Sequence, residues 1–204
     1  MPGIVSFCIV VSAAVSTCFG QAKPILGHET PYPPSRGTSG FFITPTPEAL
    51  TRSLNDLASR SILIIDANVQ EVLPARVTGH RNLETDVKIA VNRVLKGTRP
   101  RQSIIICQDG GVIGDYKQYT TQYDLMQRGE HYILFLSDEE RSALPAVPTG
   151  HRFEVTGLWT GIFKVLPDNT LDLPSATPTS LRKLYQQRSV DRLLTDIATA
   201  VPVE

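Results

Sequence analysis

Cysteine is scarce in this chain, and its scarcity excludes more than any other feature. The 204 residues include 3 cysteines. Cys8 and Cys18 fall in an apolar N-terminal stretch, which leaves Cys107 alone in the body of the sequence. One thiol makes no intrachain disulfide, so a disulfide-stapled extracellular module is excluded and the domain must be held by its core. Charge of one sign is missing as well: 20 Lys and Arg balance 20 Asp and Glu. Interleaved charges with no net sign give no reason to expect nucleic acid or an anionic membrane as partner. Metal motifs are absent too. His28, His80, His131 and His151 are scattered, with no H-E-x-x-H and no close Cys or His pair. The "DGGVIGD" segment lacks both EF-hand spacing and the rhythm of calcium-binding β-helix repeats. No metal or cofactor is therefore expected. G-x-S-x-G does not occur. The S-x-x-K spacing of Ser180 and Lys183 lacks its S-D-N and K-T-G companions, so Ser180 reads as a helix cap.

What is present begins with a leader-like segment. No acidic or basic side chain precedes Lys23, and Ile4 to Val15 is an apolar run too short to span a bilayer comfortably. Residues 1–22 read as a secretory signal peptide with cleavage after Gly20 or Ala22. Two alternatives stay open, a retained apolar anchor and a lipid anchor at Cys18, whose "VSTC" context loosely resembles a lipobox. The expected location is secreted, periplasmic or at the cell envelope, with no transmembrane span once the leader is removed.

Residues 23–45 are rich in Pro, Gly, Ser and Thr. They read as an extended arm that forms neither a helix nor a central strand, pinned by Tyr32, Phe41 and Phe42. A helix is expected over "TPEALTRSLNDLASRS", with Thr46 as cap, Pro47 at the first helical position and a face of Leu50, Leu54, Leu57 and Ala58. Strands follow. Leu63, Ile65, Ala67 and Val69 alternate with polar residues, as do Val87, Ile89 and Val91. "RQSIIIC" begins another strand, residues 108–128 read as a long irregular piece, and "GEHYILFLS" looks buried on both faces. "RFEVTGLWTGIFKVLPDNTLDL" reads as two or three strands with a tight turn at "PDNT". The helix-plus-barrel domain is placed at residues 46–175 and a C-terminal helical segment at 176–204. The second of its two helices is capped by Ser189 and buries Val190, Leu193, Leu194 and Ile197. Five or six short strands predict a mainly β protein: a small, closed or nearly closed antiparallel barrel with flanking helices covering its ends.

The order "VNRVLKG", a strand, "GG", a variable stretch, "GEHYILFL" and "GLWTGIFKV" resembles uncharacterised secreted bacterial proteins. Those are distantly similar to the netrin-like and tissue-metalloproteinase-inhibitor barrel, an OB-type fold. The resemblance covers roughly residues 60–173 and implies architecture rather than chemistry. Metalloproteinase inhibitors of that fold chelate zinc through an N-terminal cysteine and are stapled by disulfides. Here either cleavage leaves Gln21 or Lys23 at the start, so the fold is carried over and the activity is not.

Three functions compete. The favoured expectation is an exported, non-enzymatic module that binds a protein or cell-envelope partner through the segment from Asp109 to Arg128. Its candidate contact residues are Tyr116, Tyr119 and Tyr123, with Asp109 and Asp115; tyrosine gives rigid amphipathic area at low entropy cost. The second is a thiol-dependent hydrolase using Cys107 with His131 or His151. The third is a protease inhibitor acting through the N-terminal arm, on fold analogy alone. The basic cluster Arg93, Lys96, Arg99 and Arg101 has no interleaved aromatics and reads as a solvated turn. Trp159, between Gly157 and Gly161, reads as core.

Overall fold

Alternating and β-branched apolar runs become strands here, and the leucine-spaced stretches become helices. The computed structural model describes residues 36–41, 51, 53–77, 83–99, 104–138 and 151–201. In chain order it comprises β1 (Arg36–Phe41), α1 (Leu54–Arg60), β2 (Leu63–Val72), β3 (Arg76–Val77), β4 (Leu83–Lys96), β5 (Ile104–Asp109), β6 (Gly111–Ile113) and β7 (Asp115–Thr120). Then come β8 (His131–Asp138), β9 (His151–Val155), a 3-10 turn (Leu158–Gly161), β10 (Ile162–Val165), β11 (Leu171–Asp172), α2 (Thr179–Tyr185) and α3 (Val190–Ala200). The leader at residues 1–22, the predicted cap Thr46, Pro47, Leu50, Tyr32 and Phe42 lie outside the described residues.

The protein is mainly β, and five strands close a barrel. β2, β4, β5, β9 and β8 pair in that order, and β8 pairs back onto β2. Four of these junctions are antiparallel; β5 and β9 run parallel. The third barrel strand therefore lies beside the fifth, a Greek-key closure of the OB-like kind. Register shifts between β2 and β4, at Ile64/Ile65, Asp66/Ala67 and Val69/Glu71, let these two long strands coil around the barrel.

Two cores share the barrel wall. The interior holds Leu63, Ile65, Ala67 and Val69 of β2, Val87 and Ile89 of β4, and Leu134 and Leu136 of β8, with Trp159 and Met126 at one end. The opposite pleat of the same strands, Ile64, Ile133 and Phe135, packs with Phe163 under the helical residues Leu57, Leu181, Tyr185, Leu193 and Ile197. "YILFL" is buried throughout because it serves both cores. The helices thus cover the side wall of β2, β8 and β10 rather than the barrel ends expected from sequence, because β2 and β8 have apolar residues on both pleats.

Other expectations change as well. Described helix α1 begins at Leu54, with Ser53 Oγ accepting from Asp56 N–H at 3.2 Å. The segment after Cys107 is not irregular over its whole length. β6 and β7 form a hairpin, and β1 pairs with β7 in parallel as an edge strand. Ser180 is not a cap: α2 starts at Thr179 behind Pro178. The Lys96-Gly97 corner that ends "VNRVLKG" has a clear role. Gly97 sits at φ +82°, and a Cβ there would lie 2.2 Å from the Ile62 carbonyl oxygen. Its neighbour Lys96 is no solvated cation either, since its Nζ donates to the Ala58 and Ser61 carbonyls at 2.7 Å each and so satisfies the C-terminal end of α1.

Candidate functional site

The barrel end at which β4 starts and β5 and β9 finish carries the candidate site. β7 alternates strictly between exposed and buried positions, so its tyrosines separate. Tyr116 is 6 % exposed and packs inward, while Tyr119 is 38 % exposed. Tyr123, past the end of β7, turns toward the barrel, where its hydroxyl oxygen accepts from Asp109 N–H at 3.1 Å. Asp115 is exposed at the start of β7. The three tyrosines do not form one surface. Tyr119 and Tyr123 line one cleft, and Tyr116 is buried on the opposite pleat of β7.

Tyr123 stands between two concavities. On one side is a cleft of ≈ 470 Å³ bounded by Tyr119, Tyr132, Lys164, Leu173, Arg182 and Gln186. Many of its polar walls are already satisfied. Lys164 Nζ binds Glu130 Oε1, Arg182 Nη1 donates to the Ser175 carbonyl at 3.2 Å, and Gln186 Oε1 accepts from Leu173 N–H at 2.9 Å. Burial disfavours ionisation of Glu130, yet hydrogen bonds from Lys164, Tyr132 Oη (2.5 Å) and Gln127 N–H (2.7 Å) outweigh it and hold the carboxyl below its ordinary range.

On the other side of Tyr123 is a cavity of ≈ 90 Å³ with apolar walls from Met126, Leu158, Trp159 and Ile162, and polar ones from Gln108 and Asp109. The backbone that shapes it is constrained. Gly157 (φ +67°) and Leu158 (φ +60°) are both left-handed, and a Cβ on Gly157 would meet Thr160 Oγ1 at 2.3 Å. That pair turns the chain so that Trp159 enters the barrel mouth, its Nε1 donating to the Ala176 carbonyl at 3.0 Å. Gln108, Met126 and Leu158 had no distinguishing signal in sequence. Trp159 is core, as expected, and also a wall.

Cys107 tests the thiol reading. It lies opposite Asp86 across β4 and β5, on the outward pleat. Asp86 Oδ2 accepts from Arg76 Nη1 and from Arg152 Nη2 (2.5 Å), and Arg76 Nη2 donates to Glu84 Oε2 at 2.9 Å. Cys107 Sγ donates to that same Glu84 oxygen at 3.5 Å. Burial pushes the thiol well above its ordinary range, the Glu84 and Asp86 carboxylates push it further, and Arg76 only partly offsets them. The proposed bases are engaged elsewhere: His131 Nε2 pairs with Asp66 at 2.8 Å and His151 Nε2 with Asp138 at 3.1 Å. A thiol surrounded by carboxylates is a poor nucleophile at neutral pH. Among the described residues no group of three or more His, Cys, Asp or Glu is arranged to hold a metal ion. No described helix is long and apolar enough to cross a membrane.

No protein-family model matches the chain, and no curated protein matches it in sequence.

Proposed function

We propose that the protein is an exported, non-enzymatic interaction module that engages a protein or cell-envelope partner through the cleft between Tyr119 and α2. One observation carries this reading: a half-exposed tyrosine and a partly buried one flank a cleft whose polar walls are largely self-satisfied. Covering such walls leaves few groups without partners, so binding energy comes from Tyr119 and the apolar cavity beside it. The leader pattern of residues 1–22 supports export, and the protonated setting of Cys107 speaks against the thiol-hydrolase alternative. The test is capture of envelope components on the immobilised protein, compared among wild type, Tyr119→Ala and Ser59→Ala. Capture lost with Tyr119→Ala and kept with Ser59→Ala is expected. Capture indifferent to Tyr119→Ala sinks the proposed face.

A further inference from the structure

The side-chain amide of Gln108 is only half satisfied. Its Oε1 accepts from Met126 N–H at 2.9 Å, which fixes the amide orientation, because the flipped amide would set two donors against each other. Nε2 is then buried with no hydrogen-bond partner, on a side chain that is itself 4 % exposed and forms part of the cavity wall. A buried donor of this kind in native structures calls for an explanation, and a cavity beside it supplies one. Leu158, on another wall, is held at φ +60°, a conformation that bulky residues rarely adopt and that concentrates at ligand sites.

We infer that this cavity is the anchor subsite for one leucine- or isoleucine-sized side chain of a partner polypeptide, whose adjoining backbone carbonyl accepts from Gln108 Nε2. The inference rests on the interaction-module reading and names its partner class. Size selects the side chain. At ≈ 90 Å³ the cavity is smaller than the about 150 Å³ that accommodates a benzene ring, which leaves room for a branched aliphatic group. Chemistry selects against an acid, since Asp109 and Glu154 both contribute to the walls. Continuity selects a chain over a free hydrocarbon. Tyr123 and Ile162 line both the cavity and the polar cleft, so the anchored group continues into a longer polar body.

Trp159 is the only tryptophan in the sequence, so its emission reads this cavity alone. The probes are N-acetyl-leucine N-methylamide, the phenylalanine analogue, and the glycine analogue, which has no side chain. The leucine amide is expected to give a saturable change in emission and the glycine amide none. Gln108→Glu keeps an acceptor for Met126 N–H but replaces the donor, and is expected to weaken the leucine amide by about tenfold. Should that buried carboxylate prevent folding, Leu158→Ala serves instead: it enlarges the cavity and moves preference from the leucine to the phenylalanine amide. The inference is overturned if wild type does not respond to the leucine amide or responds equally to the glycine amide. An unchanged affinity in folded Gln108→Glu, or an unchanged preference in Leu158→Ala, also overturns it. Indifference to the amides in a protein whose Tyr119-dependent capture succeeds overturns this inference alone. Amide binding in a protein that captures nothing supports the subsite and counts against the module reading.

Discussion

Cys107 and Asp86 face each other across one strand junction, and the same cluster decides the properties of both. A thiol whose ionisation is opposed by burial and by the Glu84 and Asp86 carboxylates stays protonated. Labelling of the folded protein with a thiol reagent at about pH 8, near the ordinary thiol range, should be far slower than labelling in denaturant. Equal rates would restore the thiol enzyme. For Asp86 the concern is two guanidinium partners on one buried carboxylate. Asp86→Ala removes the carboxylate that Arg76 and Arg152 share, while Arg76 keeps Glu84, and should cost about 1–3 kcal/mol in urea unfolding. Glu130 gives the pH dependence. Its folded pKa lies below the ordinary 4.5, so its contribution is fully present above that value and is lost as pH falls through the folded pKa. Glu130→Gln should therefore lower the urea midpoint at about pH 7, and the difference should shrink as pH falls through the folded pKa. A pH-independent difference would contradict the Lys164 and Tyr132 assignments.

At the scale of elements, the turns carry the information. Gly97 and Asn169 are both left-handed, but for different reasons. Gly97 has the Ile62 carbonyl against it, so Gly97→Ala is both strained and blocked and should cost more than about 2 kcal/mol. Asn169 (φ +61°) turns the hairpin between β10 and β11, with Asn169 N–H donating to the Leu166 carbonyl at 2.9 Å. Asn169→Gly should be within about 0.5 kcal/mol of wild type, and Asn169→Ala about 1 kcal/mol worse. Thermal unfolding of the three variants checks the order. These turns were legible in sequence because "KG" and "PDNT" encode backbone geometry locally. Strand periodicity was legible for the same reason, down to Leu63, Ile65, Ala67 and Val69 on one face. β6 and β7 were not. "GVIGDYKQYT" is glycine-broken with mixed polarity, and the pairing of β7 with β1 reaches about eighty residues upstream, in the register of Arg36 with Asp115. Nor was the burial of Asp86, which follows from arginines on β3 and β9 rather than from any neighbour in sequence.

For the whole molecule, the barrel divides its labour by face. One outer wall is covered by helices, one pleat of β4 carries the ion cluster, and one end opens into the cleft and cavity on either side of Tyr123. The five-strand closure follows from the number and length of the strands, which composition and spacing expose. The site does not, because Gln108, Met126, Trp159 and Tyr123 meet only after the β8–β2 and β5–β9 junctions form the barrel mouth. Sequence alone put three tyrosines on one surface; the pleat of β7 admits only Tyr119 to it, with Tyr123 contributed by the following loop. The central claim is that the face around Tyr119 is where a partner sits. Its most direct measurement replaces Tyr119 with a photo-crosslinking amino acid, irradiates the protein in whole cells of its source, and compares the products with those from the same substitution at exposed Ser59 on α1. The account predicts a discrete adduct from position 119 that position 59 does not give. No adduct from position 119, or the same products from both positions, would contradict it.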